Sequence, residues 1–257
     1  ALLAAELGLM VPDLPWHTER DRVAEVAAGV GIVAGAMAKI ANDLLLLAQT
    51  EVGEVAEARA PGKGGSSAMP QKRNPVDATL ALAAARLALG EVPVVLGAMV
   101  QAHERAAGEW QAEWDAVPRL FCLSASAVER IHGALAGLEI DAARMRTNLD
   151  ASGGVLHSEA LSMALAIHVG RTEAQRIVRD TLDTATSLGI AFQQAARDAT
   201  SVRALLALDE IERVFDPNTY LGSSDLYIDR ALKNFRALQG QGAHQKRNLG
   251  EKRSHKL

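Results

Sequence analysis

A heptad repeat of apolar residues near the N-terminus constrains the fold more than any other feature of the sequence. Between residues 23 and 47 the apolar side chains recur in alternating steps of three and four residues. They are Val23, Val26, Val30, Val33, Met37, Ile40, Leu44 and Leu47. Such a seam is typical of a helix that packs lengthwise against other helices. We therefore expect a long bundle helix that starts with a capping box of Thr18 and Asp21 and ends near Ala60, before Pro61.

Three glycines lie inside this predicted helix, at Gly29, Gly31 and Gly35. Each costs about 1 kcal/mol relative to alanine in a helix interior. Either another helix backbone comes close to them or they are tolerated weak points. The sequence leaves both interpretations open.

Two further long helices are expected after this one. The second is predicted over residues 76–106, with a kink or break near Gly90 to Pro93. The third is predicted over residues 109–138, with Pro118 inside it. No segment of the chain shows the sustained alternation of a strand, so we predict an all-α fold built on a long-helix bundle.

Shorter helices follow, which indicates a second, smaller helical domain. They are expected at Asp141–Leu149, Ser158–Val169 and Thr172–Leu188. Thr172 and Gln175 suggest a capping box, and Gly170 suits the end of the preceding helix. We therefore assign residues 1–137 to a central bundle domain, 138–240 to a small helical C-terminal domain, and 241–257 to a basic, flexible tail.

Composition narrows the class of protein. The 257 residues are 49% apolar and carry a formal net charge of -4, which allows a sizeable core and argues against a nucleic-acid partner. There is no run of about 18 uncharged apolar residues and no basic leader. The single cysteine, Cys122, fits a reducing compartment. We expect a soluble, cytoplasmic protein without membrane or nucleic-acid partners.

The loop between the first two long helices carries the chemistry. Residues 62–75 read GKGGSSAMPQKRNP. Gly64 and Gly65 allow backbone N–H groups to converge on an anion. The polar side chains beside them are Ser66, Ser67, Lys72, Arg73 and Asn74. A Walker loop is excluded because it needs a preceding strand and GK[ST] at its end, so carboxylate recognition with proton transfer remains.

The stretch GSSAMPQKRNP resembles the signature of the fumarase/aspartase superfamily. This resemblance implies that Ser66 and Ser67 are the catalytic residues, and that Ser66 transfers a proton at the carbon next to a substrate carboxylate. It also implies that Lys72 and Asn74 contact carboxylate oxygens. The substrate-binding residues expected in this loop are Gly65, Met69, Gln71, Lys72 and Asn74.

Four other stretches narrow the resemblance. They are DLPWHTERDRVAE, HERAAGEWQAEWDAVPRL, NLDASGGVLHSEALSMALA and DPNTYLGSSDLYIDR. All four resemble the bacterial 3-carboxy-cis,cis-muconate cycloisomerases, and the tryptophan pair in EWQAEW weighs most. Adenylosuccinate lyases, which share HER and the serine loop, and other C–O or C–N lyases of the superfamily are the alternative.

The resemblance implies an intramolecular lyase reaction in protocatechuate degradation. One carboxylate of a small polycarboxylate substrate adds across a double bond and closes a lactone, and the reverse is a β-elimination. Neither a metal nor an organic cofactor is implied. No cluster of His, Cys and carboxylate residues in the sequence has the spacing of metal ligands.

Outside the loop, His17 and Arg20 are further candidates for substrate binding. The resemblance places an arginine near Arg20 on a substrate carboxylate, whereas His17 either lines the site or packs against the start of the helix. Trp110 and Trp114 are four residues apart and are predicted to share one helix face.

The resemblance also implies a homo-oligomer. Members of the superfamily are homotetramers whose active sites draw on three subunits, and this chain lacks their N-terminal domain. An interpretation of another class, a non-catalytic helical oligomerisation fragment, therefore stays open.

Overall fold

The computed structural model describes residues 2–13, 17–59, 64–65, 69 and 72–238. The chain divides into two compact units, Ala1–Arg146 and Thr147–Leu257. The predicted tail, residues 241–257, lies outside the described residues.

The first unit is a bundle of three long helices with one minimal two-stranded antiparallel sheet. Its elements are α1 (Leu2–Leu7), α2 (Asp21–Leu47), β1 (Val55–Ala56), α3 (Val76–Gly97), α4 (Glu109–Ala136), β2 (Glu139–Ile140) and the start of α5 (Ala142–Asp150). Helix α3 packs against both α2 and α4. The strands β1 and β2 are antiparallel, with Val55 opposite Ile140. The all-α prediction is confirmed apart from this two-residue pairing.

The bundle core is built mainly of alanine. Ala34, Ala85, Ala88 and Ala127 have no solvent-accessible surface, and Leu120 packs among them. Such short side chains allow the helix backbones to approach closely. Helices α2 and α3 are also long and apolar enough to cross a membrane by length and composition alone, a property that core helices of soluble proteins share.

Most of the fully buried positions of α2 are shifted by one residue along the helix from the predicted seam. The buried positions are Ala24, Ala27, Gly31, Ala34, Ala41 and Leu44. Five of them lie one residue after a predicted seam position, and Leu44 belongs to the predicted seam itself. The rest of that seam is partly buried against the core, except for Val26 (52% exposed) and Val33 (45% exposed). The prediction gave weight to the larger apolar side chains, whereas close helix packing selected the smallest.

Both predicted ends of α2 are wrong. The helix begins at Asp21 after Arg20, and no side chain caps it, so the Thr18–Asp21 capping box does not form. It ends at Leu47, well before Ala60. Gly53 then adopts a left-handed φ of 63°, and Glu54 N–H donates to the Leu47 carbonyl oxygen (2.9 Å), which turns the chain into β1.

Of the kink or break predicted near Gly90 to Pro93, the break does not occur. Helix α3 continues through Pro93 to Gly97, just as α4 continues through Pro118. A proline removes one hydrogen bond of the helical ladder. Packing on both sides of Pro93 compensates, since Val95 is buried and Val92 contacts the core.

The second unit is a compact cluster of short helices. They are α6 (Ser158–Val169), α7 (Arg171–Leu188), α8 (Phe192–Asp198), α9 (Thr200–Arg203) and α10 (Leu208–Val214). A further helix, α11, follows at residues 224–238, and all of its residues are exposed. Leu161, Leu165, Phe192 and Ile211 form the buried centre of the unit. The bounds predicted for α6 are confirmed, because Gly170 ends it with a φ of 78°. The capping box of Thr172 and Gln175 does not form, since α7 begins one residue earlier.

The first unit extends beyond Gly137, where the sequence suggested a boundary. Strand β2 pairs with β1, and Arg144 donates to the carbonyl oxygens of Glu51 (2.8 Å) and Val52 (2.9 Å). These bonds attach residues 138–146 to the bundle.

Candidate active site

A narrow neck lies within the loop that carries the signature, residues 61–75. Its two sides are Gly64 and Asn74. The Gly64 carbonyl oxygen accepts hydrogen bonds from the backbone N–H of Asn74 (3.0 Å) and from its side-chain Nδ2 (3.2 Å). Gly64 has a φ of 70°, and a Cβ there would lie 2.8 Å from the Asn74 carbonyl oxygen. Only glycine fits this side of the neck.

Arg73 attaches the neck to the two-stranded sheet of β1 and β2. Its two terminal nitrogens, Nη1 and Nη2, donate to the two carboxylate oxygens of Glu139, each over 2.7 Å. Nη2 also donates to the backbone carbonyl of Glu57 (2.6 Å). The hydrogen bond from Arg73 lowers the pKa of the Glu139 carboxyl, and the same bond raises the pKa of Arg73. Both groups are therefore charged at neutral pH.

Glu57 connects this attachment to the start of α3. Its buried carboxylate accepts the backbone N–H groups of Asp77 (3.1 Å) and Ala78 (2.8 Å). These two donors lie in the first turn of α3, where the helix dipole favours a negative charge. One glutamate thus fixes both Arg73 and the direction in which α3 leaves the loop.

An open cavity of about 950 Å³ lies between the loop and the C-terminal end of α2. Its lining comprises Leu45, Ala48, Gln49, Thr50, Glu51, Met69, Lys72, Arg73, Asn74 and Pro75. Three of the predicted substrate-binding residues, Met69, Lys72 and Asn74, therefore share one concave surface. A cation and an amide over an open cavity suit a small carboxylate ligand.

The other predicted loop residues are placed less completely. Gly65 is exposed, and a Cβ on it would meet nothing within 4 Å. Ser66, Ser67 and Gln71 lie outside the described residues. Their assignment stays a prediction from the sequence.

His17 and Arg20 lie at the opposite end of α2. The His17 ring packs edge-on against Trp110, at 5.0 Å between ring centroids, and Trp110 packs edge-on against Trp114 at 5.2 Å. This confirms that the two tryptophans share a helix face. The Arg20 Nε donates to Glu113 Oε1 over 2.9 Å, and a second guanidinium nitrogen pairs with Oε2.

This cluster is remote from the cavity within one chain. Helix α2 has 27 residues and separates Arg20 from Gln49, a distance of roughly 40 Å at about 1.5 Å per residue. The structure therefore does not bring Arg20 and His17 together with Lys72 and Asn74. Within one chain, Arg20 contacts Glu113 and His17 contacts Trp110.

Comparisons with known proteins match both units. A family model described as "Lyase" matches residues 1–90, and one described as "Adenylosuccinate lyase C-terminus" matches residues 154–231. A 3-carboxy-cis,cis-muconate cycloisomerase of Pseudomonas aeruginosa is 45% identical over 93% of this chain and 52% of the relative. The chain belongs to the fumarase/aspartase superfamily.

Two further proteins are similar to this chain over most of its length. The crystal structure of the 3-carboxy-cis,cis-muconate lactonizing enzyme of Pseudomonas putida superimposes with a TM-score of 0.84, at 41% identity over 92% of this chain and 53% of that one. A nitrosuccinate lyase of Streptomyces davaonensis is 39% identical over 89% of this chain and 48% of the relative. The chain thus spans about half the length of the superfamily members that it matches.

Sequence reasoning missed Glu57 and Glu139. Neither belongs to a motif, and they lie 16 and 66 residues from Arg73 along the chain. Glu57 is a carboxylate shortly before a helix start, which is a weak capping signal. Glu139 carries no local signal, because only the pairing of β1 with β2 brings it to the loop. In the part of the chain that the structure describes, no three His, Cys, Asp or Glu residues group as metal ligands would.

Proposed function

We propose that the protein to which this chain belongs is a 3-carboxy-cis,cis-muconate cycloisomerase. One observation supports this most: Lys72 and Asn74 of the superfamily signature line one cavity, in a chain that is 45% identical to such an enzyme. The tricarboxylate substrate matches a site that offers a cation and an amide. The proposed setting is the cytoplasmic degradation of protocatechuate.

The proposed reaction needs a proton donor and stabilisation of negative charge. One carboxylate oxygen of the substrate forms a C–O bond with the far carbon of a double bond, whose electron pair moves towards the neighbouring carboxylate. Lys72 and the loop amides stabilise the resulting aci-carboxylate. Ser66 then delivers a proton to the α-carbon, and solvent replaces that proton. In the reverse direction Ser66 acts as the base of a β-elimination.

Desolvation and neighbouring cations are what the serine requires for this role. A serine hydroxyl in water is far too weak an acid or base, so its alkoxide must be stabilised by amides and positive charge. Lys72 stands in the same loop, within the signature that contains Ser66. Mutation of either residue should therefore affect catalysis more strongly than substrate binding.

We further propose that the active site is assembled between subunits of a homo-oligomer, with a tetramer as the expected form. A single chain keeps Arg20 at the end of α2 opposite the cavity, so both can serve one substrate only if different subunits supply them. Exposed apolar side chains support association. They include Val26, Ile32 and Val33 on α2, and Leu226, Ile228, Leu232 and Phe235 on α11. A clean monomer in size-exclusion chromatography with light scattering would contradict this proposal.

The activity test uses protein expressed from the whole reading frame that encodes this chain. We expect the ultraviolet absorbance of the conjugated diene of 3-carboxy-cis,cis-muconate to disappear, and Ser66→Ala to abolish this loss. Intact mass defines the chain that is assayed. Turnover of adenylosuccinate with the muconate left untouched would show that the substrate assignment is wrong.

A lyase with another substrate is the second candidate. The nitrosuccinate lyase at 39% identity supports it, because a chain of similar sequence is named for a different substrate. Nitrosuccinate therefore belongs in the same assay panel. If no substrate is turned over while the protein is oligomeric, the non-catalytic interpretation is favoured.

A further inference from the structure

We propose that Arg73 and Glu139 are a positioning pair, which holds the C-terminal side of the loop neck on the two-stranded sheet and so directs Lys72 into the cavity. The role given to Lys72 rests on the function proposed above. The attachment itself does not, because it follows from hydrogen bonds within the first unit.

Arg73 has a different environment from its neighbour Lys72. Both line the cavity, but the guanidinium makes three hydrogen bonds to protein groups, two to the Glu139 carboxylate and one to the Glu57 carbonyl. A planar guanidinium can satisfy a carboxylate and a carbonyl together, whereas an ammonium group lacks this fork geometry. The arginine is therefore suited to attachment and the lysine to a ligand.

The attachment reaches three secondary-structure elements. Glu139 lies on β2, and Glu57 follows β1, which pairs with β2. The carboxylate of Glu57 also holds the first turn of α3. Arg73 is thus fixed relative to both the two-stranded sheet and the helix that follows the loop.

Lys72 lies between this attachment and a hydrogen bond to Met69. Its backbone N–H donates to the Met69 carbonyl oxygen over 3.0 Å. On its other side, Arg73 is attached to Glu139, and Asn74 is bonded to Gly64 across the neck. The main chain at Lys72 is therefore constrained from both directions, which limits where its ammonium group can lie.

The pair should matter locally more than globally. The side chains of Arg73 and Glu139 are 28% and 57% exposed, and half-exposed ion pairs contribute little to the stability of a whole domain. A role in positioning accounts for the three-bond geometry better than a role in stability does.

Hydrogen exchange tests the attachment without any assay of activity. In Arg73→Met and in Glu139→Gln, we expect the amides of residues 72–78 to exchange up to about fivefold faster, the upper range for an exposed pair. The matched control is Arg176→Met, which breaks two hydrogen bonds to Glu173 and one to Asp180 in the second unit. Unchanged exchange in residues 72–78 of both variants would overturn the proposal.

Enzyme kinetics test the positioning. We expect Arg73→Met to lower kcat, Arg73→Lys to recover only part of it, and the melting temperature to stay within a few degrees in both. Arg73 acts through Lys72 if Arg73→Met causes no further loss in a Lys72→Met background. A full additional loss in that background would show that Arg73 acts on the substrate directly, and would overturn the proposal.

The two experiments separate the possible failures. If the wild-type protein turns over neither the muconate nor the alternatives, the proposed function fails. The exchange data then still decide whether Arg73 and Glu139 hold the loop neck.

Discussion

The two ends of the bundle each carry an arginine–glutamate pair, and the two pairs differ in burial. Arg20 and Glu113 are 14% and 4% exposed beside the His17–Trp110–Trp114 cluster. Arg73 and Glu139 are 28% and 57% exposed at the loop neck. Removing one member of a buried ion pair costs much stability because the other charge stays buried, whereas water stabilises the remaining charge of an exposed pair. The same pair of residue types therefore supports the fold at one end and a loop at the other.

This comparison also bears on catalysis. Both ends contain residues that the signature or its neighbours assign to substrate binding, yet α2 separates them by 27 residues. No small polycarboxylate bridges such a distance. Function at both ends requires either a second subunit or a structural role for Arg20. The predictions below test this difference, from the largest expected effect to the smallest.

The largest expected effect is on stability at the Arg20 end. We expect Glu113→Ala to lower the free energy of unfolding by about 3 to 5 kcal/mol, because it removes the carboxylate from a mostly buried ion pair. Urea denaturation measures this change. Glu113→Gln should cost less, since it keeps the shape and one acceptor.

The matched control for this first variant is Glu173→Ala, which breaks an exposed pair in the second unit. It should leave the urea midpoint unchanged. A Glu113→Ala protein as stable as this control would remove the contrast between the two ends.

The next effect is on catalysis at the loop end. We expect Lys72→Met to lower kcat by about 10²- to 10³-fold, the usual cost of removing one preorganised group that stabilises transition-state charge. Initial rates on the preferred substrate measure it, with unchanged circular dichroism as evidence of folding. Lys39→Met serves as control, because Lys39 is an exposed cation paired with Asp43. Full activity in Lys72→Met would mean that the cavity is not the active site.

The helix that separates the two ends gives a smaller effect. A Cβ on Gly31 would lie 2.7 Å from Val92 Cγ2, so we expect Gly31→Ala to destabilise the bundle by about 1 to 3 kcal/mol. Gly29 has nothing within 4 Å of that position, so Gly29→Ala should stabilise α2 by up to about 1 kcal/mol. Thermal melting of the two variants tests this. Equal shifts in both would show that α2 and α3 are not in close contact.

The smallest effect is a pH dependence confined to the loop end. Arg73 lowers the pKa of the Glu139 carboxyl below the ordinary value of a glutamate. Its contribution is therefore present at neutral pH and is lost as the pH falls through that lowered pKa. We expect the difference in amide exchange between the wild type and Glu139→Gln to shrink in the same acidic range. A difference that persists there would assign the effect to something other than the charge of Glu139.

The sequence predicted the helices best where a local signal ended them. Gly170 set the end of α6 because a left-handed residue stops a helix without help from other segments. The predicted end of α2 was wrong because Pro61 was taken as the helix-ending residue, whereas the turn before β1 depends on pairing with β2, a strand 84 residues further along. The heptad period was right, but most of the fully buried positions lie one residue after the predicted seam, since hydrophobicity ranks valine above alanine and helix packing does not.

The sequence by itself determined the all-α class, the heptad period and the loop whose signature places this chain in its superfamily. These are local properties, fixed by residue type and spacing. Only the tertiary structure decided that Arg20 belongs with Glu113, that Arg73 belongs with Glu139, and that Lys72 and Asn74 share a cavity. The partners in the first two pairs lie 93 and 66 residues apart. Charges at such separations meet only after the helices and the two-stranded sheet have packed, and neither the periodicity nor the motif predicts that packing.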